Sequence, residues 1–165
     1  MNLFYYGAKS FRVIDGDTLD MTIDLGFGVM IEHRVRLYGI NTPESHGRTP
    51  EPEKSKGIAA KDALTGLLHN PTTHRPGKVI VQTHKIRRRS GDIDERTGKY
   101  GRYMVSLWIE AEDGTMTDVN RTLVESGHAN LYTGGKRPKL GTWRWDGEEQ
   151  LEPCADYIIG ADSAN

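Results

Sequence analysis

From Leu19 to Leu25 the chain alternates strictly: Leu19, Met21, Ile23 and Leu25 are apolar, and Asp20, Thr22 and Asp24 are polar. A period of two places the two sets on opposite faces of a strand with one wet side. Gly26-Phe27-Gly28 reads as a hairpin turn, and the return leg sets Ile31, Val35 and Leu37 against Glu32, Arg34, Arg36 and Tyr38. With the apolar segment around Phe11–Ile14 before it, this predicts a three-stranded meander. Asn41 to Lys54 is polar, carries Pro43, Pro50 and Pro52, and is expected to be loop. Ala60, Ala63, Leu64, Leu67 and Leu68 then recur every three to four residues, as an amphipathic helix requires, until Asn70-Pro71 stops it.

A fourth strand is predicted from Lys78 to His84 around Val79-Ile80-Val81, and residues 85–99 read as a basic loop. A fifth strand is expected where Tyr103, Val105, Leu107 and Ile109 alternate with Arg102, Met104, Ser106 and Trp108. Asp113-Gly114 is a tight-turn signal, and Thr117 or Asp118 is placed to cap a short helix carrying Val119, Leu123 and Val124, with Gly127 as its stop. Beyond Tyr132 the periodicity dissolves. Five strands with a helix after the third predict a β-rich α+β fold, a five-stranded Greek-key barrel of the OB type with two or three flanking helices. The expected domain covers residues 1–140, followed by an irregular acidic tail over 141–165.

Composition narrows the class. In 165 residues, 36% are hydrophobic and 27% charged, and no apolar run approaches the roughly 20 residues of a spanning helix, so no membrane partner is expected. Leu3-Phe4-Tyr5-Tyr6 is too short for a signal-peptide core. A single cysteine, Cys154, excludes an internal disulfide framework and a thiolate zinc site, so the expected compartment is the cytoplasm. The net charge of −1 hides an uneven distribution. Residues 84–102 hold seven Lys or Arg against three acids, whereas residues 146–165 hold six acids and no Lys or Arg. A basic body joined to an acidic end suits a polyanion-binding surface.

Three short clusters carry the candidate chemistry. Asp15-Gly16-Asp17-Thr18 sets hard oxygen donors in a tight turn, as a cation such as Ca²⁺ prefers. Arg36-Leu37-Tyr38-Gly39-Ile40-Asn41-Thr42-Pro43-Glu44 leads from the polar face of a strand into a loop, where Pro43 holds Thr42 extended. Lys99-Tyr100-Gly101-Arg102 opens the fifth strand, and the planar fork of Arg102 matches a phosphate. The histidines show no metal-binding spacing, and His46, His69 and His74 read as surface or loop residues.

In this order the three clusters, extended by Val119-Asn120, Leu123-Val124 and Gly127-x-Ala129, resemble the staphylococcal nuclease-like (thermonuclease) family over about residues 10–132. The resemblance implies an OB-type barrel and Ca²⁺-dependent endonucleolytic hydrolysis of phosphodiesters in DNA, preferably single-stranded, and in RNA. It implies Asp17, Asn41 and the Thr42 carbonyl as metal ligands, with Asp15 as an acid just behind them. It assigns Arg36 and Arg102 to the phosphate, Glu44 to the attacking water, and Lys99 and Tyr100 to the nucleotide. Asn120 falls on a buried structural asparagine. Asn41 departs from the family, which has an aspartate there. The lost charge weakens calcium binding and leaves another hard divalent ion open. Two other readings compete: a nucleic-acid-binding OB module that does not cleave, and a protein-interaction domain.

Overall fold

The computed structural model describes residues 4–70, 77–84, 86–87, 93–94 and 102–132. Strand β1 (Tyr5–Asp15) runs into β2 (Thr18–Asp24) and β3 (Met30–Leu37), and a two-residue strand β4 (Ile40–Asn41) follows. Helix α1 (Glu53–Leu68) precedes β5 (Lys78–His84), and a small hairpin pairs β6 (Ile86–Arg87) with β7 (Ile93–Asp94). Then come β8 (Tyr103–Glu110), β9 (Met116–Asp118), α2 (Val119–Glu125) and β10 (Asn130–Leu131). The order β3-β2-β1-β5-β8 is closed by a β3–β8 pairing, which makes the expected five-stranded barrel with two helices against it. That closing seam is parallel, with Val35, Arg36 and Leu37 opposite Tyr103, Met104 and Val105.

The alternation in β2 does what its period requires. Leu19, Met21 and Ile23 point inward with Val35, Leu37, Val79, Val81, Val105 and Leu107, and all are buried. Leu64 and Leu68 from α1 and Leu123 and Val124 from α2 cover the same core. On the wet face Asp20 takes hydrogen bonds from Arg34 and Arg12, which hold its carboxyl down at about 2. These side chains are exposed, so the triad adds little to stability.

Three elements differ from the expectation. Strand β1 begins at Tyr5, well before Phe11, because its register against β2 shifts between Ala8 and Ser10 and again between Val13 and Asp15. Each irregularity resets the inward face, so no single period runs along the strand. Helix α1 starts at Glu53, within the expected loop, because its first turns bury Gly57 against backbone and carry no apolar stripe. The short strands β9 and β10 lie where a turn and a helix end were expected. They extend β8 and pair with β4. The expected cap of α2 is present: the Asp118 carboxylate accepts from the Arg121 N–H at 3.0 Å. At its other end Gly127 adopts φ +78, where the His128 and Ala129 amides reach back to the Leu123 carbonyl. The tail 141–165 lies outside the described residues.

Asn120 fastens the closing seam. Its amide nitrogen donates to the Tyr38 carbonyl at 2.9 Å and the Val105 carbonyl at 3.3 Å, and its oxygen accepts from the Leu107 amide at 3.1 Å. Next to it His84 stacks on Tyr38, with centroids 4.4 Å apart, and its Nε2 meets the Ser106 hydroxyl at 2.9 Å. Burial pushes the His84 imidazole down to about 4. The unfolded chain binds a proton near pH 6.5 and the folded chain near pH 4, so the neutral ring is compatible with folding and the charged ring is not. Stability is therefore full above pH 6.5 and falls between pH 6.5 and 4, by up to about 3 kcal/mol. Urea unfolding at pH 7 and pH 5 checks this. His84→Gln should remove most of this pH-dependent loss, and an equal loss in both proteins would contradict the assignment.

Candidate active site at the barrel mouth

The turn between β1 and β2 buries two acids side by side. Asp15, Asp17 and Thr18 are each at most 6% exposed. Gly16 between them has no room for a side chain: a Cβ there would lie 2.7 Å from the Ala60 Cβ and 2.8 Å from the Thr42 Oγ1. The sequence needs glycine at this point so that α1 and the Thr42 loop can close over the turn.

Asp17 is held from every side. The Arg36 guanidinium, one strand away on β3, places Nη1 2.9 Å from Oδ1 and Nη2 2.8 Å from Oδ2. The Thr18 hydroxyl donates to Oδ1 at 2.9 Å and the Thr42 amide to Oδ2 at 3.1 Å. Nη2 of Arg36 also donates to the Asn41 Oδ1 at 2.9 Å. Four of the residues expected at the site, Asp17, Arg36, Asn41 and Thr42, thus form one buried hydrogen-bonded group. The pair is a forked, charge-assisted one, the geometry that an arginine also offers to a phosphate.

A second group adjoins it. The Asp15 Oδ1 accepts from the Gly16 amide at 3.1 Å and the Ser45 amide at 3.2 Å. Burial raises the Asp15 carboxyl, against the opposing pull of Ser45, Gly16 and His46, and the charge of Asp17 raises it further. One donor atom each from Asp15, Glu44 and His46 lie within 4.8 Å of one another. His46 sits on the exposed loop as expected, yet its Nδ1 faces inward, 3.7 Å from the Asp15 Oδ2 and 3.1 Å from the Ser45 hydroxyl. Sequence reading missed this residue, and the signal is its place two residues after Glu44. The oxygens of Asp15 and Glu44 and a nitrogen of His46, together with Asp17 and Asn41 beyond them, could hold a divalent cation.

Helix α1 sets the position of Glu44. A Cβ on Gly57 would collide with the Glu44 carbonyl and come within 2.7 Å of the Ser45 amide, so the helix packs directly on that peptide. Alanine is worth about 1 kcal/mol more than glycine within a helix. Gly57→Ala should nevertheless destabilise the protein by about 1–3 kcal/mol through overpacking. A stabilised variant in urea unfolding would contradict the close packing.

Arg102 stands immediately before β8, half-buried, on the strand that β3 meets in parallel. Since Tyr103 is opposite Val35, Arg102 lies at the level of Arg34, two residues back from Arg36, or about 7 Å along the strand. Alternation puts it on the same side of the sheet as Arg36. Lys99 and Tyr100 lie outside the described residues, as does most of the basic 84–102 stretch.

Comparison with known proteins bears on the family. The family model described as staphylococcal nuclease homologue matches residues 34–143, two thirds of the chain. The chain is 26% identical over 170 residues to a Methanocaldococcus jannaschii protein called Uncharacterized protein MJ1439, covering 86% of this chain and 72% of that protein. It is 28% identical over 126 residues to Protein ParB of Escherichia coli, covering 73% of this chain. It spans 54% of the length of ParB. With a barrel closed through β3 and β8, and a family match that covers the end of β3 and all of β8, the chain belongs to the staphylococcal nuclease homologue family.

Proposed function

We propose that this protein is a divalent-cation-dependent nuclease that hydrolyses phosphodiester bonds in DNA, preferring single strands, and in RNA. The observation that carries the reading is the convergence of Arg36, Asp17, Asn41 and Thr42 in one buried group, with Asp15 and Glu44 beside it. These residues come from the ends of three strands and a loop, and packing rather than sequence adjacency brings them together.

The chemistry follows from the substrate. A phosphodiester is an anion that repels an incoming hydroxide, and hydrolysis adds charge to its non-bridging oxygens. Asp17, Asn41 and the Thr42 carbonyl, with Asp15 behind them, would hold a divalent cation, calcium by the family resemblance, which would supply positive charge against those oxygens. Arg36 is held at the site by Asp17 and can share its fork with a phosphate oxygen without leaving the pocket. Arg102, on the same side of the neighbouring strand, provides a second guanidinium for the developing charge. Glu44, on the loop anchored by α1, orients the attacking water and accepts its proton. Asp15, whose carboxyl is raised chiefly by burial, lies just behind the site. Lys99 and Tyr100 are proposed to contact the nucleotide.

The test is direct. Pure protein with heat-denatured DNA and Ca²⁺ or another divalent ion should cleave the strand, and excess chelator should abolish cleavage. Intact DNA with a salt-sensitive mobility shift would instead support a binding module. Intact DNA with no shift would support the protein-interaction reading. Among the described residues no helix is long and apolar enough to cross a membrane.

A further inference from the structure

We infer that the cleft between β1 and α1, beside the mouth, binds the nucleotide that flanks the scissile phosphate in an unpaired strand. The inference rests on the nuclease reading and adds to it a second subsite, on the side away from Arg102. Helix α1 carries Ile58, Lys61 and Asp62 at three- and four-residue spacing, which puts them on one face. With the end of β1 at Arg12 and Ile14, and with Ser45 and His46 of the loop, that face lines a cleft of about 520 Å³. Clefts that hold small ligands measure roughly 300–1,000 Å³, so one nucleotide can be accommodated.

The cleft continues the site at the mouth. Ser45 and His46 follow Glu44 directly, and both meet Asp15: the Ser45 amide donates to Oδ1 at 3.2 Å, and the His46 Nδ1 is 3.7 Å from Oδ2. Around the barrel, β8 adjoins β3 on one side, and β2 and then β1 follow on the other. A strand laid across the mouth, with one phosphate at Arg36, thus has Arg102 toward one end and the cleft toward the other.

The lining suits a nucleotide. Arg12 and Arg34 share the one carboxylate of Asp20, which leaves a positive charge unbalanced there. Lys61 adds a second and Asp62 cancels one, so the balance stays positive. The Arg12 side chain is 74% exposed, and a guanidinium placed so can bond a phosphate oxygen. Ile58, 44% exposed, forms an apolar wall with Ile14. An unpaired base can lay its face on that wall. A base already stacked within a duplex has no face to offer, so the cleft favours single strands.

The experiment measures binding of a short fluorescent oligothymidylate to the full chain by anisotropy, with chelator present so that nothing is cut. Lys61→Ala should weaken binding by about five- to tenfold and lower the slope of log K against log salt by about 1, the mark of one lost phosphate contact. Ile58→Asn should weaken it by about threefold and leave the slope unchanged, because only apolar contact is lost. Asp62→Asn should tighten it by about two- to threefold, a gain that a folding defect cannot produce. Lys56→Ala removes the same charge from an exposed position of α1 outside the cleft and is the reference for general electrostatics. Equal effects of Lys61→Ala and Lys56→Ala, with Ile58→Asn and Asp62→Asn indistinguishable from the parent, would overturn the inference, as would a parent that does not bind the oligonucleotide. The readout is binding, so the two readings fail separately. Cleft-dependent binding by a protein that leaves DNA intact when a divalent ion is added would defeat only the nuclease reading. Chelator-sensitive cleavage by a protein whose binding is indifferent to Lys61, Ile58 and Asp62 would defeat only the subsite.

Discussion

Glu44→Gln is expected to fold as the parent does and to cleave denatured DNA about 10²–10⁴ times more slowly, the usual contribution of a positioned general base. Glutamine keeps the length and shape of the side chain and can still accept a hydrogen bond through one oxygen. It cannot take a proton and is a weaker donor to a cation, so cleavage is compared at saturating divalent ion to read the chemical step. The backbone beneath it is fixed by Gly57 and is indifferent to the exchange. Single-turnover cleavage with saturating enzyme reads the chemistry without substrate binding, and urea unfolding of the same preparation verifies the fold. A variant that folds normally and cleaves within about threefold of the parent would take Glu44 out of the reaction.

The second large effect is on stability. Arg36→Ala should destabilise the protein by about 3–5 kcal/mol, since it strips the partner from a buried carboxylate and leaves an uncompensated charge in the barrel wall. The side chains of Arg36 and Asp17 are only 10% and 5% exposed, so solvent offers little screening. Asp17→Asn combined with Arg36→Ala removes the stranded charge and should recover part of the loss. The pair of single variants and the double variant in urea unfolding give the coupling. A cost below about 1 kcal/mol for Arg36→Ala, with no recovery in the double variant, would mean that the pair is not buried in solution. A consequence for interpretation follows: loss of cleavage in Arg36→Ala reports structure as well as chemistry, and Glu44→Gln is the cleaner probe.

Much of the barrel is legible in the chain because each core strand has one buried and one wet face. In β2 the contrast is complete, with Leu19, Met21 and Ile23 buried while Asp20, Thr22 and Asp24 face outward. Where the backbone departs from regular pairing, the pattern fails: β1 carries two register shifts and its first half is not readable. The start of α1 is hidden for another reason, since Gly57 packs against a peptide and leaves no hydrophobic mark. At the site, motif order suggests which residues to seek, and the structure gathers Asp17, Arg36, Asn41 and Thr42 as one group. What no pattern reveals is that Arg36 is already committed to Asp17, or that the His46 ring turns toward Asp15. Both depend on contacts between residues that are not periodic in anything.

The parallel seam between β3 and β8 joins residues as far apart as Val35 and Tyr103. It cannot form until the ribosome has delivered the second of them. A nascent chain that has emerged only through α1 holds the Asp17 and Arg36 side of the mouth and has nothing to shut it against. Loop closure over so long a stretch is entropically costly and comes late. Whatever chemistry the mouth performs therefore becomes available only after most of the domain has been made.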